Sequence, residues 1–295
     1  MPNDEHVPEN LKDYFRKNKD GSVAIIDIVS KKAATPGEIP DFINSSQYYT
    51  NGLKKIKKFS DRVEIDVWLV RHQKTVDLGQ PGAFRQALED NNVYIPEGKY
   101  WSKEEVEIWN DASQKTKPKN EAAINAMIQN MTTKVDDGFT RTQCLAVAGS
   151  KVRVEFVDYT FYDFKDTPGL SQFDEGHRAF QRNPNHDRME AFYWRAALTY
   201  YREWIMISNL GYVIDSWLAK SSGSKPLKIL MTIGMFHNDL IRKLQSFGID
   251  AKTTYPRSSD EEINTMRKEA EIIAKYRYTP DDISLYRGLN EIIFR

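Results

Sequence analysis

The segment from residue 67 to 75 contains the feature that most restricts how this chain folds. Residues 67–70 form an apolar run typical of a β-strand, and Arg71 and His72 follow directly at its carboxyl end. A second apolar run at 227–234 leads to His237. Because open α/β sheets bind ligands at the carboxyl ends of their strands, the two runs predict parallel strands whose ends bring two histidines into one pocket.

The order of strand-like and helix-like segments predicts the fold class. Strand patterns recur between helical patterns along the chain, and the main ones lie at 23–29, 152–158 and 227–234 for strands and at 48–59 and 189–217 for helices. This alternation is typical of an α/β fold, a three-layer sandwich in which helices cover both faces of a mostly parallel central sheet.

The same pattern predicts how the chain is organised. We expect one α/β domain over residues 1–295, with 91–131 as a helical cap insertion and 260–295 as a C-terminal helical extension. Residues 163–185 are rich in charge, glycine and proline, which predicts an irregular active-site loop.

Composition limits the class of protein and its compartment. The 42 Lys and Arg residues balance 42 Asp and Glu residues, so the charge favours no nucleic-acid partner. Cys144 is the only cysteine, which excludes intrachain disulfides and favours a reducing compartment. The first residues are polar, and no apolar run approaches the roughly 20 residues of a membrane span. We therefore expect a soluble cytoplasmic protein with no membrane partner, and the sequence leaves a homo-oligomer open.

An Arg-His pair at a strand end suits phosphoryl chemistry. An imidazole can attack phosphorus as a nucleophile, while a guanidinium binds the phosphoryl oxygens. Arg141 is the first residue of a predicted helix over 141–146, and the amides at a helix start also favour an anion. Together with Arg71, His72 and His237, it predicts a phosphate-binding pocket.

Four segments resemble the histidine phosphatase superfamily, in its phosphoglycerate mutase-like branch. That family begins with a strand ending in Arg-His-Gly-x-Thr, which this chain matches except that Gln73 replaces the glycine. The other three segments are similar to its Gly-x-x-Gln-Ala helix, its second phosphate-binding Arg and its second His, and they lie at 82–87, 140–146 and 236–242.

The resemblance implies a phosphomonoester hydrolase or phosphotransferase that acts on a small phosphorylated substrate. His72 would form a phosphohistidine, and the phosphoryl group would be bound by Arg71, Arg141 and His237. The general acid would come from Asp163 or Asp166, with Glu155 as a weaker third choice. No metal or organic cofactor is implied.

A second resemblance gives a different function to His237. Two segments are similar to the TraB, Tiki and haem-uptake superfamily. One is Gly-Met-Phe-His at 234–237 with the apolar residues that follow it, and the other is Arg182-Asn183 ahead of a helix that contains Met189. This resemblance implies a metal-dependent hydrolase or a haem-uptake-like binding protein that uses His237. A catalytically silent α/β interaction protein is the third alternative.

Two further histidines lie in the charged segment 163–187. His177 and His186 have acidic neighbours but no recognisable ligand spacing, so the sequence predicts no metal site there.

Overall fold

A computed structural model of the chain shows an α/β fold. It describes residues 11–17, 19, 23–34, 37–70, 82–97, 103–114, 143, 146–158, 168–183, 188–220, 225–256 and 259–276.

A five-stranded, all-parallel sheet lies at the centre of the fold. Its strands are β3 (Val63–Val70), β4 (Val93–Pro96), β5 (Arg153–Val154), β6 (Leu227–Gly234) and β7 (Asp250–Thr254). They lie side by side in the order β5-β4-β6-β3-β7. β3 and β6 pair in register along their whole length, from Val63 opposite Leu227 to Val70 opposite Gly234. The sheet confirms the predicted fold class.

Helices pack against both faces of this sheet. They are α1 (Asp41–Asn44), α2 (Gln47–Phe59), α3 (Ala83–Glu89), α4 (Lys103–Gln114), α5 (Pro168–Arg182), α6 (Arg188–Leu218), α7 (Asp239–Ser246) and α8 (Asp260–Tyr276). The structure is therefore a three-layer sandwich, as the sequence predicts.

The side chains of β3 show why the sheet is covered on both sides. Val63, Ile65, Val67 and Leu69 belong to the larger buried core, which also contains the apolar residues of α2 and α6. Trp68 lies in a second buried core with residues of α3 and α4. A strand that is buried on both faces needs a continuous apolar run, and residues 67–70 of β3 show it, whereas Glu64 and Asp66 in the first half of the strand are only partly buried.

Helix α6 is a single helix of 31 residues, and its close crossing with α2 depends on glycine. The predicted helix over 189–217 is thus confirmed without a break at 209–211. Gly211 contacts the backbone of Gly52 so closely that a methyl group on Gly211 would overlap the Gly52 carbonyl oxygen.

We expect Gly211→Ala to destabilise the protein by about 1–3 kcal/mol, because the new methyl group forces α2 and α6 apart. Helix propensity alone would give the opposite sign, a gain of about 1 kcal/mol. Urea unfolding of the variant measures the difference. Ser216→Ala, at an exposed position of the same helix, is the matched control and should change stability by less than about 0.5 kcal/mol. A stabilised Gly211→Ala variant would contradict the packing described.

Three local predictions differ from the structure. The strand predicted at 23–29 ends at Ile25: β2 (Val23–Ile25) pairs with β1 (Phe15–Lys17) in a two-stranded antiparallel sheet that is separate from the central sheet. The chain turns after it because the buried carboxylate of Asp27 accepts hydrogen bonds from the backbone N–H groups of Val29, Ser30 and Phe42.

The other two differences concern loops and strand length. The predicted irregular loop at 163–185 is wrong over most of its length, because its described part from Pro168 to Arg182 is helix α5. The strand predicted at 152–158 is confined to residues 153–154.

The predicted domain organisation stays a prediction. The described part of 91–131 contains β4, which pairs within the central sheet, and α4, whose Trp109 lies in the second core. Residues 115–131 lie outside the described part. Helix α8 begins the predicted C-terminal extension, whose residues 277–295 are also outside it.

Among the helices that the structure describes, none is both long enough and apolar enough to cross a membrane.

Candidate functional site

Charged and polar side chains gather at the carboxyl edge of the sheet. Glu97 directly follows β4, and His237 ends a short 3₁₀ turn that follows β6. Asp158 lies beyond the end of β5. Because β5, β4 and β6 are neighbours in the sheet, their carboxyl ends bring these residues to one place.

The imidazole of His237 lies between two carboxylates. Its Nε2 is 3.4 Å from Glu97 Oε1, and its Nδ1 is 3.4 Å from Oε1 of Glu203, a residue of α6. The side chains of His237, Glu97 and Glu203 are 2%, 8% and 0% exposed. The ring is thus held in a buried, strongly charged environment.

The first carboxylate, Glu97, is fixed from two directions. Its Oε1 is 3.1 Å from Nη2 of Arg202, and its Oε2 accepts a hydrogen bond of 2.5 Å from the backbone N–H of Gly234. The Arg202 guanidinium also forms a two-pronged ion pair with Asp158, in which Nε donates to Oδ1 at 3.0 Å and Nη2 donates to Oδ2. Glu97 therefore has little freedom to turn away from His237.

The second carboxylate, Glu203, is fixed by a buried ammonium group. Lys243 Nζ donates to Glu203 Oε2 at 2.6 Å and lies 3.5 Å from Asp239 Oδ2. The same ammonium lies over the rings of Tyr200 and Trp204, at 5.3 and 5.2 Å from their centroids. Such contacts offset part of the cost of burying a cation.

The charges of the described cluster are unequal. The carboxylates of Glu97, Asp158, Glu203 and Asp239 face two cations, Arg202 and Lys243, each of which is shared by two carboxylates. The described carboxylates of this cluster outnumber its described cations. The two carboxylates that contact His237 favour an uncharged or cationic ligand beside the ring over a phosphate dianion.

Helix geometry explains how α6 serves both sides of His237. Arg202 and Glu203 are consecutive, so their side chains leave the helix about 100° apart. Arg202 can then reach Glu97 and Asp158 while Glu203 reaches His237 and Lys243. The sequence did contain a signal for these two residues, because a charged pair interrupts the apolar stretch of a buried helix, where charges are rarely found unless they are paired.

Burial also affects the tyrosines beside this cluster. Burial raises the pKa of Tyr200 above its ordinary value of 10.0, and the nearby charge of Asp27 raises it further. Burial raises the pKa of Tyr201 in the same way. Both phenols are therefore neutral in the folded protein at a pH where an unfolded chain has already lost the corresponding protons.

We expect stability to fall at alkaline pH for this reason. Below pH about 10 the folded and the unfolded protein both keep these two protons, so the stabilisation from the buried phenols is fully present. Above pH about 10 the unfolded chain releases the protons while the folded protein keeps them, and the free energy of unfolding declines. Urea unfolding at a series of pH values from about 8 to 11 measures the slope. Tyr200→Phe should make the decline shallower, because it removes the phenol whose pKa burial raises. An equal slope in wild type and in this variant would contradict the linkage.

The predicted site residues are only partly placed by the structure. His237 is placed as described above, whereas Arg71, His72, Arg141, Asp163 and Asp166 lie outside the described residues. That these side chains share one phosphate pocket with His237 stays a prediction. The third candidate for the acid, Glu155, is placed: it forms an ion pair with Arg153, whose side chain is half exposed.

The described residues offer no second site around His177. Its ring stacks against Phe173 and Phe180 and contacts Trp194, so it is part of an aromatic core. No group of three or more His, Cys, Asp or Glu side chains placed to hold a metal ion occurs in the described part of the chain. His186 lies outside it.

A cavity of about 660 Å³ opens at the opposite, amino-terminal end of the strands. Its lining includes Glu64 and Asp66 of β3, Lys228 of β6 and Lys252 of β7. These charges already pair across the strands, at 3.8 Å for Lys228 with Glu64 and 3.5 Å for Lys252 with Asp66. The cavity does not include His237.

Comparison with known proteins found no match to any family, to any curated protein or to any solved structure.

Proposed function

We propose that the protein is a hydrolase in which His237 acts as a general base and activates water for attack on an uncharged ester or amide. The observation that carries this proposal is the imidazole held between the carboxylates of Glu97 and Glu203 at the carboxyl edge of the sheet. A histidine oriented by a carboxylate is a common arrangement for taking a proton from water or a hydroxyl group.

The two carboxylates suit different roles. Glu203 is fully buried beside Nδ1, so it is placed to orient the ring and stabilise its protonated form during the reaction. Nε2 then points to Glu97, the more exposed of the two carboxylates and the one at the end of a strand. In this assignment Nε2 accepts a proton from water as the water oxygen bonds to the acyl carbon, and Glu97 stabilises the charged ring. The ring then returns the proton to the alcohol or amine that leaves when the acyl–oxygen or acyl–nitrogen bond breaks.

The resemblance to the TraB, Tiki and haem-uptake superfamily supports a hydrolase that uses His237. The segment that carries this resemblance ends β6 and begins α7, and its Leu240 and Leu244 are buried in the larger core. The metal that this resemblance implies does not fit the described residues: the two carboxylates contact opposite nitrogens of one ring, so one ion cannot contact both carboxylates and the ring. The reaction is therefore written through protein side chains alone.

Paired rate measurements test the reaction class. We expect the full chain to hydrolyse p-nitrophenyl acetate or a longer uncharged p-nitrophenyl ester with saturable kinetics, and to leave p-nitrophenyl phosphate intact, because the carboxylates of Glu97 and Glu203 on either side of the ring repel a dianion. Turnover of the phosphate monoester alone would overturn the proposal.

A phosphatase is the second candidate, and one observation favours it. Val70, the last described residue before Arg71 and His72, pairs with Gly234, so the chain leaves β3 at the same edge of the sheet as His237. If His72 forms a phosphohistidine, acid-quenched reactions with ³²P-labelled substrate would trap label on the protein, and His72→Ala would abolish it. Ester hydrolysis without trapped label would exclude the phosphatase and favour the hydrolase that uses His237.

A further inference from the structure

We infer that Lys243 is a positioning residue: it holds the Glu203 carboxylate so that this group fixes the tautomer and orientation of His237. The inference rests on the proposed function, because it assigns to Lys243 the task of keeping Nε2 available as the base. Lys243 does not contact His237 in the ion pairs described, so it acts through Glu203.

The geometry connects the two residues through one carboxylate. Lys243 Nζ lies 2.6 Å from Glu203 Oε2, and His237 Nδ1 lies 3.4 Å from the other oxygen, Oε1. The terminal torsion of a glutamate is broad, so a carboxylate that no second group binds can rotate and change which atom faces the ring. A bond to Oε2 limits this rotation and keeps Oε1 as the oxygen nearest to Nδ1, in a close contact that is not a hydrogen bond in this structure.

The burial of Lys243 argues against an ordinary surface role. Its side chain is 2% exposed and lies over two aromatic rings, in a position where a lysine is rarely found. Lys243 Nζ donates to Glu203 Oε2, so the other oxygen of this carboxylate is left to receive a hydrogen bond from Nδ1 of His237. With the proton on Nδ1, Nε2 is the basic nitrogen that the reaction needs.

Other charged groups near His237 also influence which ring nitrogen carries the proton. Glu97 faces the ring from the end of β4, and Arg202 and Glu203 belong to α6. Asp239 and Lys243 belong to α7, and Asp158 follows β5. A test of Lys243 must therefore change this residue and leave the other carboxylates in place.

The tautomer can be read directly by long-range ¹H–¹⁵N NMR of the imidazole rings in the ¹⁵N-labelled full chain. The signals of His237 are those lost in His237→Gln. We expect wild type to carry its proton on Nδ1, and Lys243→Met to give a mixture of both tautomers. Lys243→Arg, which keeps the cation, should restore the wild-type pattern, and Lys252→Met, at an exposed lysine of β7, should not change it.

Loss of the Lys243 ammonium should affect kcat much more than KM. We expect Lys243→Met to lower kcat for the uncharged ester by about 10-fold or more while KM changes by less than about twofold, because substrate binding is not affected. Lys243→Gln is the alternative where the methionine variant is too unstable. If Lys243→Met or Lys243→Gln folds and His237 keeps its wild-type tautomer, the inference is overturned. If wild type hydrolyses no ester but the tautomer depends on Lys243, the proposed function fails and the positioning role stands.

Discussion

Replacing Arg202 with methionine is expected to lower the free energy of unfolding by about 3–5 kcal/mol, the cost of leaving a buried ion pair without one partner. Arg202 is the cation shared by Asp158 and Glu97, and the three side chains are 5%, 1% and 8% exposed. Methionine keeps much of the volume but leaves two buried carboxylates facing each other. Urea unfolding followed by tryptophan fluorescence measures the loss.

An exposed pair of the same chemistry provides the matched control. Arg153 pairs with Glu155, but its side chain is 52% exposed. Arg153→Met should therefore cost less than about 1 kcal/mol, as is usual for ion pairs in contact with water. If Arg202→Met and Arg153→Met lowered the free energy of unfolding by the same small amount, the buried network would not stabilise the fold as described.

The parts of the fold that could be predicted are those whose burial leaves a long pattern. β3 and β6 are mostly apolar eight-residue strands at the centre of the sheet, and α6 is apolar over most of its 31 residues. Because these elements are buried over most of their length, most of their residues must be apolar, and the sequence shows this directly.

Short strands and edge strands could not be predicted because they leave no long apolar pattern in the sequence. β4 has four residues and ends in Pro96, while β7 has the polar sequence DAKTT and pairs on one side only in the described sheet. Their strand conformation depends on hydrogen bonds from neighbouring strands, which come from distant parts of the chain. Local sequence carries little information about such pairing.

The candidate site was predicted in the same partial way. His237 could be found because it follows an apolar strand and precedes a helix. Its partners Glu97 and Glu203 come from two other elements of the fold. The charged pair in an apolar helix marks Glu203 as unusual, but local sequence does not show that it meets His237. The sequence drew attention to arginines beside two histidines; Arg71 and Arg141 lie outside the described residues, and the described neighbours of His237 are mainly carboxylates.

Replacing His237 with glutamine is expected to lower kcat/KM for an uncharged ester by about 10²–10⁴-fold, the usual contribution of a general base. Glutamine is of similar size and polarity, so it can keep contacts with Glu97 and Glu203. It cannot accept and return a proton. The loss should therefore appear mainly in kcat, with KM changed much less.

The most direct test of the account compares this variant with a change at the other described, buried histidine. His177 lies in an aromatic core and has no part in the proposed reaction. With p-nitrophenyl acetate, or the best uncharged ester found, we predict that His237→Gln loses about 10²-fold or more of kcat/KM, while a folded His177→Gln keeps a rate close to that of wild type. A folded His237→Gln protein that hydrolyses the ester as fast as wild type would contradict the account.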